Sequence, residues 1–214
     1  MTSTLSRPKP KPDGHLVLHD VGWGFYEMLL KEIGDQAIRV TFDNGSLELM
    51  SPLPEHERWK RMIGRLIELL SLERSIPIAS LGSTTFRRKD LAKGLEPAEC
   101  YYIKHEAWVR GKKKLELPES PPPDLVVEID ITHREIEREG IYAALGVPEI
   151  WRFDGERLTG LVLGRGGKYE VAEKSEAFPF LLLADLERFL AMVDETDETS
   201  VMRVFQEWVR GLGK

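Results

Sequence analysis

Cysteine is nearly missing from this chain: Cys100 is the single example in 214 residues. No internal disulfide can form, and a reducing cytoplasm is the expected setting. An apolar leader is missing as well. Residues Met1 to Gly14 are polar and carry the run Arg7-Pro8-Lys9-Pro10-Lys11-Pro12, which does not resemble a secretory signal. Long hydrophobic runs are lacking. The most apolar window, Phe178 to Val193, is cut by Asp185, Glu187 and Arg188, so no membrane span is expected. Positive charge is not in excess, since 30 Lys and Arg against 36 Asp and Glu leave a net charge of −6. This argues against broad, non-specific nucleic-acid binding, while a local basic patch stays open. The glycines show no phosphate-loop or dinucleotide spacing, which disfavours nucleotide cofactors.

What is present suits one soluble domain, with 42% apolar and 31% charged residues. The proline-interrupted residues 1–14 are expected to be a disordered tail. Residues 15–214 are expected to form a single domain, closed by a helical extension from about 182 to 214. Trp23 to Gly34 reads as a short helix. Ile38 to Phe42 and Ser46 to Met50 flank Asp43-Asn44-Gly45, a strong hairpin signal. From Pro54 to Glu73, Trp59, Met62, Ile63, Leu66, Leu69 and Leu70 recur at helical spacing. Ser80 to Arg88 and Glu96 to Ile103 read as strands. A helix is expected from Thr132, because Thr132 and Glu135 have capping-box spacing, and it ends at Gly146. Strands follow at Glu149–Phe153, Leu158–Leu163 and near Tyr169, then helices at about 182–192 and 199–211. The fold class expected is α/β, a mixed central sheet flanked by helices.

The segment Pro121-Pro122-Pro123-Asp124-Leu125-Val126-Val127-Glu128-Ile129-Asp130-Ile131 carries the chemistry. Alternation puts Leu125, Val127, Ile129 and Ile131 on one face of a strand, and Asp124, Val126, Glu128 and Asp130 on the other. A buried strand rarely carries three carboxylates without compensation by a cation, by basic partners or by an exposed edge. Asp124 and Glu128 lie about 13 Å apart along a strand, and Glu128 and Asp130 about 7 Å, so a shared ion needs a ligand from a neighbouring strand. Glu96 to Ile103 is the natural source, with Glu96, Ala98, Cys100 and Tyr102 expected on one face. Like charges at close range should raise at least one of these carboxyl pKa values. On that reading, Glu128→Gln leaves the metal-free fold nearly unchanged.

Glu96-Pro97, Pro123-Asp124-Leu125-Val126-Val127-Glu128-Ile129 and Tyr142-Ala143-Ala144-Leu145-Gly146-Val147-Pro148-Glu149-Ile150-Trp151 resemble the Uma-two-type endonuclease family. So does Glu48-Leu49-Met50-Ser51-Pro52 with Glu55-His56-Glu57. That family is a branch of the PD-(D/E)XK nuclease superfamily, and the resemblance implies a restriction-endonuclease-like fold and magnesium-dependent hydrolysis of DNA. It implies catalytic roles for Glu57, Asp124, Glu128 and Arg138, with Glu96, Asp124 and Glu128 as Mg2+ ligands. His56, Asp130, His133 and Tyr142 would surround them. Two positions depart from the family pattern: Ala98 stands where an aspartate is expected, and Arg138 where a lysine is expected.

The alternative reading is a relative that has lost the chemistry and acts as a DNA- or protein-binding dimer. The amphipathic last helix, with Phe205 and Trp208, suggests a homodimer surface. Arg61, Arg65, Arg87, Arg88, Lys112 and Lys113 are the candidate phosphate contacts, provided that they line one cleft.

Overall fold

The computed structural model describes residues 14–132 and 134–212. The expected tail falls outside these except for Gly14, and so does His133. The first half of the chain runs β1 (His15–Leu18), α1 (Trp23–Ile33), β2 (Arg39–Asp43), β3 (Ser46–Met50), α2 (Pro54–Glu73), β4 (Ala79–Ser80), β5 (Phe86–Arg88), β6 (Lys93–Leu95) and β7 (Glu99–Tyr102). The second half runs α3 (Glu106–Val109), β8 (Leu125–Ile129), α4 (Glu139–Leu145), β9 (Glu149–Phe153), β10 (Leu158–Leu163), β11 (Tyr169–Ala172), α5 (Leu183–Ala191) and α6 (Glu198–Gly211).

The α/β class holds, but the strands divide between two sheets. A six-stranded mixed sheet has the order β11-β10-β9-β8-β7-β4, and only β8 and β9 run parallel. A five-stranded antiparallel sheet has the order β1-β3-β2-β6-β5. The expected strand over Ser80–Arg88 is broken, and its two ends go to different sheets. The β2–β3 hairpin turns through Asn44 at φ 47° and Gly45 at φ 93°. Both values suit the tight turn favoured between twisted strands, and Asn and Gly adopt them most readily.

β8 is buried on both faces. Leu125, Val127 and Ile129 join the main core with Trp59, Ile63 and Leu66 of α2, Phe189 of α5, and Val201, Phe205 and Val209 of α6. Val126 joins a second core with Cys100, Ile141, Tyr142 and Ile150, under α4. The aromatic stripe of α6 packs against the main core, with Phe205 buried and Trp208 half-buried. Phe205 packs on Phe189 at 4.9 Å between ring centroids, and Trp208 lies at 5.2 Å from the same ring. Within the chain, α5 thus covers Phe205 fully and Trp208 in part.

The helix expected from Thr132 starts instead at Glu139. Tertiary contacts override the capping pattern. Glu135 N donates to Glu48 Oε1 at 3.0 Å, Ile136 is buried, and Arg134 turns inward. Gly146 at φ 81° closes α4, as its position in the sequence implied.

Candidate functional site

Glu128 sits near the C-terminal end of β8, and Arg134 and Arg138, which follow it in the chain, reach back to it. Its carboxylate is 2% exposed. Arg138 Nη1 donates to both oxygens, at 3.0 and 3.1 Å. Arg134 Nη2 donates to Oε2 at 3.0 Å, and the Tyr142 hydroxyl donates to Oε1. Burial alone would push the Glu128 carboxyl up. Arg138, then Arg134, outweigh it, Tyr142 and Arg39 add to them, and the group is held at about 2. Burial and the adjacent carboxylate push the Tyr142 hydroxyl well above its ordinary range, so it stays a neutral donor. The rise expected for at least one carboxyl of this strand is not found at Glu128, which is lowered instead, because arginines rather than carboxylates surround it.

Arg39 of β2 approaches from the five-stranded sheet. It is 3% exposed, and its Nη2 donates to Glu57 Oε1 at 3.2 Å. Glu57 also meets Lys60, whose Nζ is 3.8 Å from Glu99 Oε1. Burial raises the carboxyls of Glu96 and Glu99, opposed by Arg39 at the first and Lys60 at the second. His56 of α2 is fully buried. Its Nδ1 accepts from Leu53 N at 3.2 Å, which leaves Nε2 protonated and facing Thr132 Oγ1 at 3.2 Å. Burial, reinforced by Arg39 and Arg134, lowers its pKa to about 4.

The structure brings together Glu128, Arg138 and Tyr142, with Asp130 3.6 Å from Arg134 Nε and Glu96 joined through its carbonyl to Arg138 Nη1 at 3.3 Å. It does not bring Asp124 to them. At the other end of β8, Asp124 Oδ2 accepts from Ile103 N at 2.6 Å and His105 N at 3.0 Å, while Oδ1 meets His105 Nδ1 at 2.6 Å. Ala98 is also turned away. Both it and Glu99 oppose Val127, as Ala98 N donates to Val127 O and Glu99 pairs with Val127 in register. This bulge breaks the expected alternation. It puts Ala98 in the main core while Cys100 lies in the second.

The basic candidates lie on several elements and have separate contacts. Arg65 pairs with Glu198 of α6, Arg87 approaches Glu27 of α1, and Arg88 pairs with Asp90. Arg61 is exposed on α2, Lys113 is exposed after α3, and Lys112 lies 3.2 Å from the Trp108 ring centre. Arg39, Glu48, His105 and Arg134 were not legible as site residues. Glu48 figures in the sequence only as part of a family-matching run, and only tertiary packing buries Arg39 and Glu48, turns Arg134 inward and sets the exposed His105 against Asp124.

The profile of the Uma2 family, described as putative restriction endonuclease, matches residues 25–192. The chain belongs to the Uma2 family. No curated protein matches it. The Uma2 match spans β2 to β11 and α2 to α5, and it includes the whole Glu128 cluster. The Gly-Val-Pro-Glu-Ile-Trp run of this Uma2 chain is structural. Buried Glu149 accepts from Trp151 Nε1 at 2.7 Å and Ala177 N at 2.7 Å, tying β9 to the loop before α5. A divalent metal, the usual cofactor of such nucleases, does not fit the donor set present. Among the described residues no three His, Cys, Asp or Glu side chains are placed to share an ion. The oxygens of Glu128 already face two guanidinium groups and a phenol. No helix among the described residues is long and apolar enough to cross a membrane.

Proposed function

We propose that this chain is a non-cleaving member of its nuclease family, one that binds DNA without a resident magnesium ion. The observation that carries the reading is the neutralised Glu128. A carboxylate that accepts from Arg138, Arg134 and Tyr142 has no free lone pair directed at a metal or a water. Arg138 keeps the positive charge of the lysine it replaces. Its high pKa leaves it unsuited to proton transfer, and its guanidinium is held by Glu128.

DNA as the ligand follows from the family, and a local basic segment supports it. Lys104, Arg110, Lys112, Lys113 and Lys114 are exposed around Trp108, itself 38% exposed. Lysines with an exposed aromatic ring suit a phosphate backbone with an unstacked base or sugar edge. This segment adjoins the Asp124 end of β8, about 13 Å along the strand from Glu128, so the charge that attracts DNA and the family's reacting position do not coincide.

Supercoiled plasmid incubated with the protein and millimolar MgCl2 or MnCl2 should stay intact, while fluorescence anisotropy shows DNA bound in the absence of metal. Metal-dependent nicking by the wild type that Glu128→Gln removes would overturn the reading. Absence of DNA binding would overturn its second half.

A further inference from the structure

Outside the closed carboxylate of Glu128 the fold keeps a cavity of about 270 Å3. Its lining carries five acids against three arginines. Glu128 is neutralised inside the protein, Asp130 lies beside Arg134, and Glu139 pairs with Arg152. Glu135 and Glu137, both exposed, give the opening its negative excess. Ile136, Ile150 and Leu161 supply an apolar wall. Arg138 also lines the cavity, is 4% exposed, and its Nε has no hydrogen-bond partner among the described residues. A buried N–H of this kind calls for an acceptor such as a main-chain carbonyl. A negative opening with an apolar wall repels a phosphate backbone and suits a cationic chain with apolar rings.

A segment of that chemistry is tied to the same place. Residues 7–12 read Arg-Pro-Lys-Pro-Lys-Pro, cations alternating with prolines. They precede Gly14, where the described residues begin. His15, next to it, sets Nε2 2.8 Å from Glu48 Oε1. The same oxygen accepts from Glu135 N at 3.0 Å. The point at which the basic run joins the fold therefore lies beside the acidic opening. At no more than ~3.5 Å per residue, Lys11 stays within about 10 Å of Gly14 and Arg7 within about 25 Å. Exposed ion pairs are individually weak, but a short tether holds the run near the opening at roughly millimolar effective concentration.

We propose that residues 7–12 dock across this acidic opening, as an intramolecular strap over the Glu128 end of β8. The cations of the strap meet Glu135 and Glu137, and its proline rings lie toward Ile136, Ile150 and Leu161. Proline has no N–H, so every second residue of the strap can enter the opening without leaving an amide donor unpaired. The inference goes beyond the DNA-binding reading and does not depend on it.

Disulfide trapping in the full chain tests the proposal. Lys9→Cys is combined with Gly140→Cys, at the start of α4 beside Glu139, where an added side chain meets open space. The control combines Lys9→Cys with Glu55→Cys, an exposed site four residues from Ser51, which touches Gly14. The native Cys100 is buried and stays out of the reaction. The Gly140 pair should cross-link about tenfold faster than the control pair, because docking adds to what the tether alone provides. Adding Glu135→Gln and Glu137→Gln, or about 0.5 M NaCl, should remove that excess by neutralising or screening the opening. Circular dichroism should show each variant folded. Equal rates for the two pairs overturn the inference, and so does an excess that survives both the glutamine substitutions and the salt. An excess that appears only after duplex DNA is added also overturns it, and assigns the basic run to DNA. The plasmid and anisotropy results that decide the functional reading are independent of these rates.

Discussion

At the residue scale, the sign of a carboxylate's contribution depends on what surrounds it. Three acids on one strand face suggest mutual repulsion, and relief on neutralising one of them. Glu128 is instead the anion that holds Arg138 and Arg134 inside the protein, with Arg39 close by. Removing one partner of a buried ion pair leaves the other charge uncompensated, at a cost of about 3–5 kcal/mol. Glu128→Gln should therefore lower the melting temperature by about 10 °C without metal, the reverse of the near-neutral effect the sequence suggests. Differential scanning calorimetry on the two proteins checks it.

The same neighbourhood sets an acid limit on stability. His56 is held neutral, with its pKa lowered from 6.5 to about 4. The unfolded chain takes up the proton first as pH falls, so stability declines from about pH 6.5 down to pH 4. This shift corresponds to roughly 3 kcal/mol at most, at 1.36 kcal/mol per unit. Glu128, lowered to about 2, extends the loss below its ordinary value of 4.5. Urea midpoints measured across pH 4 to 7 should fall toward acid in the wild type. In His56→Gln the slope between pH 6.5 and pH 4 should flatten, and an unchanged slope would assign the acid sensitivity elsewhere.

At the scale of elements, amphipathicity announces that a helix face will be covered but not by what. α6 carries Val201, Phe205, Trp208 and Val209 toward α2 and α5, fastened at its ends by Arg65–Glu198 and Arg210–Glu73. Phe205 is fully buried, so Phe205→Ala should cost about 3–5 kcal/mol of unfolding free energy through lost burial and the cavity left behind. Chemical denaturation would show it as a lower midpoint, independent of protein concentration. A concentration-dependent midpoint would return α6 to a subunit interface.

For the whole molecule, net charge and local charge act differently. A net charge of −6 disfavours indiscriminate adhesion to DNA, while the segment 104–114 concentrates exposed lysines beside Trp108. Changing Lys112, Lys113 and Lys114 together to Ala should weaken DNA binding. It should also reduce the slope of log affinity against log salt by about 2–3, since each phosphate contact contributes about 0.9. Arg65→Ala should leave that slope unchanged, because Arg65 is engaged by Glu198. Anisotropy titrations across a salt series separate the two.

Local pattern determined much of this protein. The bounds of α2, the β2–β3 turn, β9 and β10 follow from periodicity and turn chemistry, which act between near neighbours and need no knowledge of the rest of the fold. The family-matching motifs likewise lie in short runs, and Glu128 stood out as a carboxylate on a strand too apolar to be exposed. Arg138 and Tyr142 were already grouped with that carboxylate by the family motif, but its remaining partners and the closing of its oxygens were decided by tertiary structure. Arg39 comes from another sheet and Arg134 from a segment whose capping pattern announced a helix, while a bulge turned Ala98 to the opposite side. Side-chain charges act through space over a few ångströms, and the chain brings such groups together only after its sheets have packed. The difference between a carboxylate open to a metal ion and one closed by arginine is therefore a property of the fold.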